Sequence, residues 1–195
     1  MNVFRLTITL SLLVGFQYLA MAEFRPWTDV KGRTFEAEYV RADDDLVVLR
    51  LHDDTEVKVP FEALCPEDQN QAMLQSPPRI NIKAGSKVVR DAVKARAETD
   101  VRIEAVTIDI ALQKASTEPY TLELTLDLVL VGKMQQFDRF LVIDRTRSPF
   151  RFTNENNGLY EIACGPVDVR KVSGNANAGA EYEGYLIVVR DSRGE

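Results

Sequence analysis

The side chains that could do chemistry are few. His52 is the only histidine in the chain, so any Ser-His-Asp or Cys-His relay would have to use it. It falls one residue before the Asp53-Asp54 turn, where histidine is usually solvated or packed. Zinc would need a tight cluster, and one histidine with the distant Cys65 and Cys164 does not supply one. The carboxylates Asp43, Asp44 and Asp45, with Asp53, Asp54 and Glu56, lie on two consecutive turns. They could gather oxygens around calcium only if those turns met, and they lack the interleaved spacing and turn glycine of a calcium loop. A glycosidase would set two acids across a cleft, and no segment here reads as cleft-building. Arg145, Arg147 and Arg151, with Phe150 and Phe152 interleaved, mimic a nucleic-acid surface. Flanked by Asp138 and Asp144, they read instead as a solvated hairpin. "GNANAGAEYEG" lacks the lysine and the strand-to-helix setting of a phosphate loop, and reads as a mobile loop. No catalytic residue, metal ligand or cofactor is therefore assigned, and the chain reads as a non-enzyme.

The elements around these residues begin with a leader. Arg5 precedes the apolar run "LTITLSLLVGFQYL", and Ala20-Met21-Ala22 fits a small-x-small cleavage site, so residues 1–22 read as a signal peptide. The rival, an uncleaved anchor, would have only the 17 residues "LTITLSLLVGFQYLAMA", which include Thr, Ser, Gly and Gln. The mature chain is expected to be exported (periplasm, envelope or secreted), with no membrane span. Its charge is uneven. Residues 23–78 hold 13 acidic against 6 basic side chains, a net of −7, whereas residues 79–195 hold 17 of each. An acidic module repels nucleic acid and anionic lipid at long range, so neither is expected as a partner.

Period-two alternation organises residues 23–76. "TFEAEYV" sets Phe35, Ala37 and Tyr39 against Glu36 and Glu38, "LVVLRLH" aligns Val47, Leu49 and Leu51, and "TEVKV" offers Val57 and Val59. Short strands with Asp-rich turns make a small curled sheet. "CPEDQNQAML" opens a helix with Pro66 in its first turn, Glu67 and Asp68 near the positive dipole end, and Cys65 as a poor cap. Ala72, Met73 and Leu74 are expected to plug the open end of the sheet. "QSPPR" then reads as a stiff linker.

Trp27, Thr28, Asp29, Gly32, Phe35, Ala37, Val48, Leu49, Val57, Val59, Pro60, Leu64 and Asp68 together resemble the Sla-one homology domain, a small module related to SH3 barrels. The likeness covers residues 24–74. Two positions depart from it: Thr55 replaces a turn glycine and Cys65 a capping serine. The resemblance implies a protein or peptide partner. Trp27 is the one candidate ligand-contacting residue, although a lone tryptophan is more often core.

Residues 79–195 carry strand signals throughout. "VRIEAVTIDIAL" changes phase at Ala105-Val106, which predicts a bulge or bend there. "YTLELTLDLVLVG" places Leu122, Leu124, Leu126, Leu128 and Leu130 on one face, and "RFLVIDR", "FRFT", "LYEIACG", "VDVRKV" and "YEGYLIVVRD" add more strands. About seven strands with Pro, Gly and Asn turns argue for an antiparallel, immunoglobulin-like β-sandwich. "SKVVRDAVKARAE" reads equally as a helix or an early strand. The Asp-Ser-Arg-Gly turn at the very end implies either a bare last strand edge or a truncated sandwich, of which truncation is the expectation.

The expected fold is thus mostly β: a small SH3-like barrel over residues 23–76 and an immunoglobulin-like sandwich over residues 79–195. The expected role is an exported adaptor or scaffold that binds protein. The alternative is the non-catalytic accessory region of a larger secreted carbohydrate-active or other hydrolase. Oligomeric state stays open. So does the fate of Cys65 and Cys164, which either bridge the modules or stay separate buried thiols. If residues 1–22 are a cleaved leader, terminal sequencing of the exported protein will begin at Glu23. A start at Met1 would mean an uncleaved leader.

Overall fold

The computed structural model describes residues 23–93, 99–134, 136–174 and 178–194. It is mostly β, with two antiparallel sheets and one α-helix among the described residues. The first sheet runs β1 (Arg25–Thr28), β2 (Thr34–Asp43), β3 (Leu46–Arg50) and β4 (Glu56–Pro60), each paired with its neighbour in sequence. Asp44 and Asp54 turn the chain at φ of 53° and 64°, a left-handed conformation that aspartate tolerates better than most residues. After β4 a single 3₁₀ turn, Phe61–Ala63, brings the chain back beside β1. Val30 N–H donates to Ala63 O (3.0 Å) and Cys65 N–H to Thr28 O (2.9 Å), so the curled sheet closes on itself.

Helix α1 (Pro66–Gln75) follows. Cys65 offers no side-chain cap, as its sequence suggests. The third helical residue anchors the helix instead. Asp68 is buried and accepts from Thr28 N–H (2.5 Å) and from the Arg25 guanidinium, which ties the helix start to β1. Trp27, Ala37, Val47, Leu49, Leu64 and Ala72 form the core of this module, with Phe35, Tyr39, Val57 and Val59 packed at its margin. Val48 is buried as well, outside that cluster, although its alternation points it away.

Met73 corrects one expectation. It does not plug the open end of the sheet with Ala72. Successive helical residues point about 100° apart, so while Ala72 enters the core of the first module, Met73 joins the core of the following one. There its Sδ accepts from Thr121 N–H (3.2 Å), and Phe61 packs against both cores.

That second core lies between two three-stranded layers. One is β5 (Ile80–Val93), β6 (Thr99–Lys114) and β9 (Leu159–Gly174); the other is β10 (Ala178–Arg190), β7 (Leu124–Met134) and β8 (Phe140–Phe150). They join at one corner, where Ala178 and Gly179 pair with β9 before the rest of β10 pairs with β7. Val106, Ile108, Ile110 and Leu112 of β6 and Leu124, Leu126, Leu128 and Leu130 of β7 point into the space between. The stretch left open as helix or strand is β5 over residues 86–93, and residues 94–98 lie outside the described ones.

Six long strands stand where about seven shorter ones were expected. "LYEIACG" and "VDVRKV" are halves of β9, joined through Gly165-Pro166. The bulge expected within β6 at Ala105-Val106 is on this neighbour. Even-numbered β6 residues stay inward from Glu104 to Leu112, while Gly165 and Pro166 together oppose Thr107. Gly165 has φ of +110°, and a Cβ there would sit 2.5 Å from Val106 O, so no other residue fits. The sequence misplaced the irregularity because Ile103 and Ala105 are only half-buried while the acidic Glu104 takes the inward position, paired with Arg90.

Leu128 is fully enclosed between the layers. Leu128→Ala should lower stability by about 2–5 kcal/mol in urea unfolding, whereas Val89→Ala on the exposed side of β5 should stay within ~0.5 kcal/mol. Equal effects would contradict this core.

Candidate interaction face

Because β7 turns its even-numbered residues inward, its odd-numbered ones must face out: Thr125, Asp127, Val129 and Val131. Asp127 nevertheless has only 2% of its surface exposed. Three arginines roof it. Register places Arg147 of β8 and Val188 of β10 directly beside Asp127, with Arg145 and Arg190 one strand repeat away on either side. Arg147 Nε donates to Oδ1 (2.9 Å) and its terminal nitrogen to Oδ2 (3.3 Å). Arg145 donates to Oδ1 (3.1 Å) and Arg190 to Oδ2 (2.6 Å).

These bonds, that of Arg147 above all, hold the Asp127 carboxyl below the usual carboxylate range against the opposing effect of desolvation. The same contact raises Arg147. Three cations on one anion leave two positive charges in excess. The guanidinium groups are partly exposed and fixed from beneath, and their planar forks suit oxyanions.

Beside this cluster the same face turns apolar side chains to solvent. Leu186 is 60% exposed, Val142 62% and Phe140 63%, with Val188 less so. Lys133, bonded to Asp138 (2.9 Å), sits 6.0 Å from the Phe140 ring. A basic cluster beside exposed apolar side chains is what protein surfaces present where something docks.

Of the arginines singled out by sequence, the fold gathers Arg145 and Arg147 here and sends Arg151 to Glu123 (3.5 Å). Phe150 and Phe152 are core residues packed edge to face, so no aromatic platform accompanies the arginines. Asp127 and Arg190 escaped notice. The available signal was one aspartate at an outward position of an otherwise apolar strand. Trp27 is fully enclosed, and its Nε1–H donates to Ala37 O (3.0 Å), so the ring serves the core of the first module. His52 is exposed, stacked on Phe24 at 4.1 Å and 3.0 Å from Glu36.

The two acidic turns do not meet. They lie at opposite ends of β3, with Asp44 bonded to Thr117 (2.6 Å) and Asp53 to Thr55 N–H (3.0 Å). Among the described residues no group of three His, Cys, Asp or Glu is arranged to hold a metal ion, and no helix is long and apolar enough to cross a membrane. Both cysteines are free thiols. Cys164 lies in the core of the second module, where burial pushes its thiol pKa up, and Cys65 lies 3.5 Å from Asp68.

A crevice of about 690 Å³ opens where the loops after β6 and β8 meet, lined by Lys114, Thr117, Thr121, Thr153, Asn154 and Asn157. The Tyr120 hydroxyl and Ser116 Oγ nearby are buried without hydrogen-bond partners. Comparison with known proteins finds no matching family, no curated relative and no matching solved structure.

A depressed carboxyl pKa stabilises the fold in full above the unfolded value of about 3.9, and that contribution disappears as pH falls through the lower native value. Asp127→Asn should therefore melt below the parent chain at neutral pH, with the gap closing only under pH ~3.9. Melting curves from neutral to acid pH check this, and a gap that is the same at every pH would refute it.

Proposed function

We propose that this chain is an exported, non-enzymatic binding protein that acts as an adaptor or scaffold. In this reading residues 23–76 form a Sla-one-homology-like barrel of SH3 type, residues 79–195 form an immunoglobulin-like sandwich, and the outer face of β10-β7-β8 is where a protein partner docks. One observation carries it: three arginines fixed on a buried aspartate beside exposed Leu186, Val142 and Phe140. Arginine and aromatic side chains are the types enriched where proteins meet, and the face carries Arg145, Arg147, Arg190 and Phe140. The acidic balance of the chain, −6 overall, argues against nucleic acid as the partner.

The hydroxyl- and amide-lined crevice favours a second reading, an accessory region that holds polysaccharide. The two separate cleanly in one experiment. Immobilised chain of residues 23–195 is offered envelope extract and, separately, insoluble cell-wall polysaccharide. The first reading expects a discrete foreign protein retained by the parent chain and lost from Leu186→Asp. Retention of polysaccharide by both, with no protein, would replace it.

A further inference from the structure

The chain itself carries an acidic surface of complementary character. At the β3–β4 turn Asp53 and Asp54 are exposed, and the turn is braced by Leu51 N–H to Thr55 O (2.9 Å) and Asp54 N–H to Leu51 O (3.0 Å). Exposed Phe24 stacks on His52 at the foot of the same turn, with Glu36 bonded to that histidine. The tip thus pairs carboxylates with an aromatic ring, on a module whose net charge is −7. The face of β10-β7-β8 pairs surplus guanidinium with aliphatic side chains.

We propose that the acidic tip of one copy docks on the arginine face of the next, with Asp53 and Asp54 meeting Arg145, Arg147 and Arg190, and Phe24 covering Leu186 and Val188. The inference rests on that face being a docking surface, and it names a second copy of this chain as the occupant. An anionic membrane fits less well, because such surfaces are held by clusters of 4–8 basic residues and the rest of this chain is acidic. The two patches are different parts of one chain. Their contact is therefore head to tail, and it propagates unless the rotation closes a ring.

Sedimentation of residues 23–195 tests this at ~10 mM ionic strength, where charges act over ~30 Å, and near 1 M, where they act over ~3 Å. Low salt should give species that grow with concentration, and high salt a monomer. Leu186→Asp leaves the arginine cluster on Asp127 intact, and Asp53→Asn with Asp54→Asn keeps residues that tolerate the turn. Each variant alone should be monomeric, with self-affinity reduced about tenfold or more.

Mixed together they should give a 1:1 dimer and nothing larger, since each variant retains the patch that the other lacks. A parent chain that is monomeric at low salt overturns the inference, as does assembly indifferent to the turn variant or a mixture that stays monomeric. Binding of the parent chain to phosphatidylserine vesicles in place of itself also overturns it. None of these results touches capture of a foreign protein in the extract experiment, so the two ideas fail separately.

Discussion

The burial of β6 against β7 governs the second module. Val106, Ile108, Ile110 and Leu112 face Leu124, Leu126, Leu128 and Leu130, all withdrawn from water. Because side chains alternate with a period of two, fixing these eight fixes the direction of every other residue on both strands. Asp127 has no choice but to point outward, and its neighbours in register are then Arg147 and Val188. The arginine cluster follows from the core once that register is set.

Much of this was legible because alternation is a strong signal where one face is buried and the other wet. Phe35, Ala37 and Tyr39, the leucines of β7, and the helix behind Pro66 all fall where their pattern places them. What misled was local. Ile103 and Ala105 look inward-facing by composition, yet the buried position between them belongs to Glu104, which Arg90 neutralises. Met73 sits beside Ala72 in sequence, and only the packed helix shows that the two serve different cores. Arg190 lies 63 residues from Asp127, a separation across which no motif signals a contact. The interleaved phenylalanines near Arg145 resembled a recognition surface because alternation of cation and ring is also what a half-buried strand looks like.

The outer strands of the six-stranded sheet show how a β structure guards its edges. β5 carries Lys83, Lys87 and Arg90, and β8 carries Arg145, Arg147 and Pro149. Repulsion between like charges discourages two β8 strands from pairing side by side, and Pro149 cannot donate to a ladder. The same arginines serve Asp127 from above. A residue set that protects an edge can therefore also shape a face, which is economical in a layer of only three strands.

β10 has one more consequence. It begins in the ladder of β9 and, after Gly179, continues in that of β7, so one uninterrupted strand belongs to both layers. Tension along it would pass from one layer to the other through the two residue pairs at the corner, like load along a short seam stitched through two panels of cloth.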